Sequence, residues 1–206
     1  MGLTFSILNT VTFNYIDRME AVHIEDAFAN MSLILNREKE ILHRTVLDWG
    51  HWDDTYFYIA GQNKAGYEEV NLQASTLQRL DLNFMYFLDE QGNLTNSIKR
   101  DFDSSFEKAF VSMLMTKSQP FLEFSNNHDV HTGLVSIEGI IYIITSSPIT
   151  TTNEKAPHNG TLLLGRKLDD SLIRYINSIN GAEVILSEQL NLKNQAQTTS
   201  KDENFI

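Results

Sequence analysis

Asp48-Trp49-Gly50-His51-Trp52-Asp53-Asp54-Thr55-Tyr56 holds both tryptophans of the chain, three carboxylates, a histidine and a tyrosine within nine residues. On a helix, Asp48, Trp52 and Tyr56 lie one turn apart along one line, and Trp49, Asp53 and Tyr56 or Phe57 along the next. The stretch is an aromatic ridge edged with carboxylates. Its rings suit core packing between a helix and a sheet, or the wall of a ligand cavity. The carboxylates are poorly placed for catalysis, because paired acid/base work needs two carboxyls facing one cleft at a set separation. At the C-terminal end of a long helix, Asp53 and Asp54 also face the negative end of the macrodipole. A compensating cation is expected, and Arg166 in the run Gly160–Leu168 is the candidate. An arginine leaving a central strand can fork onto a carboxylate such as Asp48 or Asp53.

Upstream of the stretch, Ile24, Phe28, Met31, Leu35, Glu38, Leu42, Thr45, Trp49, Trp52, Tyr56 and Ile59 recur in alternating steps of four and three. Only Glu38 and Thr45 interrupt the apolar stripe. A second row, Ala27, Ile34 and Ile41, widens it. The 3.5-residue period marks a coiled-coil-like seam and predicts one helix from about Tyr15 to Ala60. Such a helix is roughly 65–70 Å long at 1.5 Å per residue, more than a domain of this size needs. The alternative is two shorter helices broken near Asn36 or Gly50. The seam around Ile24–Leu42 is where a homodimer is expected.

Downstream, Gly61-Gln62-Asn63-Lys64-Ala65-Gly66 stops the helix. A shorter helix follows to about Leu82, with Val70, Leu72, Leu77 and Leu80 as core candidates. Leu82–Ser97 reads as a hairpin turning at Asp89–Gly92. Phe102–Thr116 reads as a helix presenting Phe102, Phe106, Ala109, Phe110 and Met113. Strands are expected at Leu134–Ile137, Ile140–Ser146 and Gly160–Leu168, the last apolar enough to be central. A helix at Asp169–Ile179 and a short strand at Ala182–Glu188 complete the order. This is an α+β arrangement around an antiparallel sheet. We assign one domain over residues 1–206: a long stalk helix (14–60), a body (61–187) and a polar tail (188–206).

The bulk properties exclude several function classes. The chain has 206 residues, and 42% are hydrophobic, enough for a core. Its net charge of −11 and the absence of any basic cluster longer than a pair argue against nucleic-acid binding. There is no cysteine, which removes disulfides, thiol catalysis and thiolate metal sites. No apolar run reaches the 18 residues a spanning helix needs. The weakly apolar start, residues 1–13, has no basic n-region and is a poor signal peptide; it can equally be the trailing end of a transmembrane helix. His51, His128 and His131 lack the helical spacing or cysteine partners of a metal site. No phosphate-binding glycine loop or serine-nucleophile elbow occurs, so the chain is not an obvious enzyme.

The aromatic stretch, followed in order by further motifs, resembles the CHASE4 family of extracytoplasmic sensor domains, within the wider Cache-like group. The matching residues are Asp48, Trp49, Trp52, Asp53 and Tyr56, then Asp89 with Gly92, then Ser147, Pro148 and Ile149, then Gly160, Thr161, Gly165 and Arg166. The resemblance covers roughly Glu20 to Ile176. Gly50 departs from the alanine expected there. What the resemblance implies is a long N-terminal helix packed on a PAS/Cache-like antiparallel sheet, set between transmembrane helices of a receptor such as a sensor histidine kinase. It implies a non-enzymatic segment on the outer side of the cell membrane, dimeric in its parent and sensing a small ligand or a periplasmic protein. The rival reading is a structural dimerisation or spacer module, or a docking site for a periplasmic protein, without a small-molecule ligand. No cofactor and no metal are implied. Asp48, Trp49, Trp52, Asp53, Tyr56 and Arg166 form the expected joint or binding site. By analogy with Cache domains, a pocket on the distal sheet face is expected among Phe121, His128, His131, Tyr142 and Ile144.

Overall fold

A computed structural model describes residues 2–101, 107, 110, 119–137 and 140–180, with side chains described for residues 25–101, 107, 110, 121–137 and 140–179. Two compact units are distinguished, one of residues 33–169 and one of residues 1–32 with 170–206. Helix α1 is Gly2–Gly50, followed by α2 (Asp53–Ile59), α3 (Lys64–Asn71), α4 (Ala74–Leu80), β1 (Phe84–Asp89) and β2 (Leu94–Lys99). A single turn, α5 (Gln119–Leu122), precedes β3 (His131–Ile137), β4 (Ile140–Pro148), β5 (Gly160–Lys167) and α6 (Asp170–Asn180).

The larger unit is built on a five-stranded, wholly antiparallel sheet in the order β2-β1-β5-β4-β3. The expected hairpin is β1–β2, and the run at Gly160 is indeed central, with all its residues through Gly165 buried. Because side chains alternate across a strand, the sheet has two apolar faces. Tyr58 and Tyr67 lie edge-on to Phe87, which places α2 and α3 on the first face. The Ser147 hydroxyl donates to Val46 O (3.2 Å), which brings α1 to that face as well. On the distal face Phe84, Tyr86, Tyr142, Ile144 and Leu163 form a buried cluster with Ile137 and Phe110, against which Phe121 packs. Gly165 belongs to this face too, and any Cβ there would fall within the Phe84 ring.

Three sequence expectations change. The expected Tyr15–Ala60 helix is two helices, because α1 ends at Gly50 and Trp52 is extended (φ −125°, ψ 129°). The sheet covers a row of α1 with a step of four, Ile34, Glu38, Leu42, Val46 and Gly50, and not the 3.5-residue seam. Such a row is what ridge packing of a helix presents. Phe28 (64%) and Leu33 (70%) stay exposed. The single helix expected after Gly66 is split between α3 and α4 at Leu72–Gln73, where the Gln73 side chain donates to the backbone carbonyls of Glu68 and Glu69. This splitting leaves Val70 exposed, while Leu77 is core. The expected helix around Phe106, the strand at 182–188 and the tail lie outside the described residues, Glu107 and the buried Phe110 excepted.

Candidate functional site

The aromatic stretch folds around a two-residue break. The Thr150 N–H donates to Gly50 O (2.9 Å) as α1 ends against β4. Gly50 is required by that approach, since a Cβ there would sit 2.4 Å from Ser147 Oγ and 3.2 Å from Pro148 O. Glycine therefore stands in place of the expected alanine where α1 meets β4. Asp53 and Thr152 then exchange hydrogen bonds: the Thr152 N–H donates to Asp53 Oδ1 (2.8 Å), and the Asp53 N–H to Thr152 Oγ1 (3.2 Å). They satisfy the first free N–H of α2 and tie it to the β4–β5 loop. The Asn159 amide donates to Tyr56 O (2.9 Å) from the same loop.

The rings run from α1 to the sheet. Trp49 meets Trp52 edge-on at 6.1 Å, and Trp52 meets Tyr67 at 6.1 Å. Tyr67 stacks on Tyr58 at 4.4 Å, and both meet Phe87 edge-on. Tyr58 and Tyr67 form the inner part of this chain and were not singled out from the sequence. Their signal was an aromatic on each side of the Gly61–Gly66 stop. Among the described residues Tyr56 meets only the Phe57 ring, edge-on at 5.7 Å. The Tyr67 hydroxyl is 2.8 Å from Thr55 Oγ1. The Tyr58 hydroxyl donates to Glu68 Oε1 (3.0 Å) and accepts from the Asn96 amide (2.7 Å). Burial pushes the Tyr58 phenol up to about 12 and holds the Tyr67 phenol higher still.

Arg166 does not reach Asp48 or Asp53. It forms ion pairs with Glu38, three turns earlier on α1, and with Asp81 Oδ2 (2.6 Å), which Arg100 also contacts (3.2 Å). Arg166 leaves β5 three residues after Leu163, so it emerges on the helix side of the sheet beside the middle of α1, well before the helix ends. Glu38, a flaw in the apolar stripe when read as sequence, is the buried partner.

The expected pocket residues divide. Phe121, Tyr142 and Ile144 meet in the distal cluster. His131 shares that face, donating Nε2–H to Glu123 O (2.9 Å) and stacking on Phe124. His128 lies elsewhere: its Nδ1 is 2.9 Å from Glu154 Oε2, and it lines a cleft with Asp48 and His51. Two residues that sequence reasoning missed mark the distal face most clearly. The Tyr86 hydroxyl and Ser146 Oγ are buried without hydrogen-bond partners. Both pair in register with Leu163, so they flank it in one row across β1, β5 and β4. Burial, with Glu107 and Tyr142 nearby, keeps the Tyr86 phenol protonated far into alkali, as a hydrogen-bond donor. Among the described residues no three histidine or acidic side chains are placed to hold a metal ion.

A long helix laid on a five-stranded antiparallel sheet defines an α+β domain. The chain belongs to the CHASE4 domain family, which matches residues 34–187. It is 28% identical over 185 residues to the methanogenesis regulatory histidine kinase FilI of Methanothrix harundinacea (strain 6Ac). That match takes in 89% of this chain and 21% of the kinase, so the chain spans about a fifth of its relative. The extracellular domain of the histidine kinase vpHK1S-Z8, itself described only as putative, superposes with a TM-score of 0.51 at 17% identity, over 77% of this chain and 63% of that one. The periplasmic domain of Vibrio cholerae LuxQ does so with a TM-score of 0.53 at 11% identity, over 77% and 71%. At these identities the likeness is one of fold.

Proposed function

We propose that this chain is the extracytoplasmic signal-sensing segment of a membrane receptor, with a histidine kinase as its parent. In this reading a small polar ligand binds the distal face, alters the fit between sheet and helix, and so biases a two-state arrangement of α1. Support for the parent comes from the kinase relative, and support for a ligand comes from the Tyr86 and Ser146 hydroxyls. Leaving such groups unpaired in a core costs about 1–3 kcal/mol each, and ligand groups that pair with them remove that cost. The exposed Phe28 and Leu33 support pairing of α1 with a second copy in the intact receptor. Among the described residues no helix is long and apolar enough to cross a membrane.

The test is a thermal-shift screen of small metabolites on the wild type, Tyr86→Phe and Ser146→Ala. A sensing pocket predicts that some compounds raise the wild-type Tm and that both variants respond less. If no compound acts, and both variants simply melt at or above the wild-type temperature, the domain is a spacer or a docking module. The groove of about 450 Å³ between α2 and α3, rimmed by exposed Phe57 and Val70, favours that second reading.

A further inference from the structure

Three Asn-x-Ser/Thr sequences, the pattern at which an asparagine amide takes up a glycan, occur in the chain: Asn30-Met31-Ser32, Asn93-Leu94-Thr95 and Asn159-Gly160-Thr161. The fold separates them. Asn30 lies inside α1. Successive side chains of a helix turn by about 100°, so Asn30 and Ser32 point away from each other and are not presented together. Asn159 donates its amide to Tyr56 O (2.9 Å), its Oδ1 is buried, and Thr161 is buried in β5. A glycan there would have to enter the joint between α2 and the β4–β5 loop.

Asn93 is the opposite case. It sits at the tip of the β1–β2 hairpin, and Asn93, Leu94 and Thr95 are all exposed. Gly92 before it has φ +76°, and a Cβ built there would meet nothing within 4 Å, so the tip stands in open space. The Asp89 carboxylate holds the turn. Its Oδ1 accepts the Gln91 and Asn93 backbone N–H groups (2.9 and 2.8 Å), and its Oδ2 accepts one N–H of the Asn93 amide (3.1 Å). The second amide N–H has no partner among the described residues. Leu88 pairs with Leu94 and Phe87 with Asn96, so Thr95 is the extra residue of a β-bulge, outside the ladder. Its hydroxyl makes no hydrogen bond among the described residues.

We propose that Asn93 is an N-glycosylation acceptor, modified by a saccharide carried on a polyisoprenyl phosphate or diphosphate. This rests on the extracytoplasmic reading above, because the pattern is used in chains exported from the cytoplasm. A bond forms between Asn93 Nδ2 and the anomeric carbon of the sugar while the bond from that carbon to the phosphate oxygen breaks. The phosphate leaves with the electron pair, and the amide gives up one proton and keeps one N–H. The position has a physical consequence. β2 is an edge of the described sheet, and an open edge is a template for pairing with another chain. A bulky, hydrated group at its first turn obstructs that pairing and screens the exposed Leu94 from other molecules.

The experiment is peptide mass spectrometry of the intact protein purified from the membranes of its own cells. Trypsin releases Leu80–Lys99, which carries Asn93, and Ala156–Arg166, which carries Asn159. The expected result is mass increments of whole sugars on Asn93 in the first peptide and an unmodified second peptide. Thr95→Ala should abolish the increment and Thr95→Ser should retain it, a contrast that a merely structural threonine does not produce. A membrane-impermeant amine reagent on intact cells reports placement through the exposed Lys64 and Lys155. If both lysines are labelled and Leu80–Lys99 carries no sugar, the proposal is overturned and the extracytoplasmic reading stands. If the lysines stay unlabelled and the peptide is bare, that reading fails and the proposal fails with it. Sugar on Asn30 or Asn159 in place of Asn93 also overturns it, because the fold then does not select the acceptor.

Discussion

Arg166→Ala tests the assignment of Glu38 as the buried partner. Glu38 and Arg166 keep only 11% and 19% of their side-chain surface, whereas Asp81 keeps 56%. The Arg166–Asp81 pair is therefore a surface interaction worth about 0–1 kcal/mol. The large effect is on Glu38, which loses its cation while remaining desolvated. Breaking a buried pair costs about 3–5 kcal/mol. Because both partners retain some contact with water, about 3 kcal/mol is expected. A chain of this size shifts its Tm by about 2–4 °C per kcal/mol, so the variant should melt roughly 6–12 °C below wild type.

The reverse substitution is not equivalent. Glu38→Ala leaves Arg166 with Asp81, so its cost should be about half as large. Replacing both partners by apolar residues of similar size, as in Glu38→Leu with Arg166→Met, should recover most of the loss. Chemical denaturation of wild type, Arg166→Ala, Glu38→Ala and the Glu38→Ala/Arg166→Ala double variant closes a double-mutant cycle with coupling of about 1–3 kcal/mol. An Arg166→Ala variant within about 0.5 kcal/mol of wild type, the usual size of a surface substitution, would refute the reasoning. So would strictly additive singles, because they would show that the ion pair holds nothing together.

Gly50→Ala should destabilise by about 1–3 kcal/mol through overpacking against Ser147 and Pro148; adding Ser147→Ala removes the nearest obstructing atom and should recover part of it, as read from denaturation midpoints. The buried tyrosines govern alkaline stability. Tyr58 and Tyr142 have phenols held near 12 against an ordinary value of 10, by burial first in both cases. A raised folded-state value means stability is intact below pH 10 and falls from there to about 12, where the unfolded chain releases protons that the folded chain retains. Absorbance at 295 nm should show these phenolates appearing only with the loss of circular dichroism; smooth ionisation of all seven tyrosines near pH 10 in a folded chain would contradict it.

Features set by local spacing were legible from the sequence. The β1–β2 hairpin, the central strand at Gly160 and the helix after Asp169 follow from alternation, turn residues and capping. The Trp49–Trp52 pair was legible as a feature of a helix end near the sheet, but its partners were not. What failed was decided by contacts distant in sequence. A helix through Trp52 is locally reasonable, yet the hydrogen bonds of Asp53 with Thr152 compete with it across 99 positions. The heptad reading of α1 treated Glu38 as an interruption, because only the folded sheet brings Arg166 beside it, 128 positions away. Tyr86 and Ser146 looked like ordinary strand residues, since a polar group's lack of a partner is a property of the assembled core. His128 was grouped with His131 by proximity in sequence, but the turn between them, held by the Asp129 carboxylate on Ser125 and Asn126, sends the two rings to different places.

The chain's two tryptophans both sit where α1 gives way to α2, and nowhere else. Their fluorescence is therefore a local gauge built into the native sequence. Spectral shifts and quenching will report on this hinge alone, without an attached dye, whichever face of the sheet a ligand occupies.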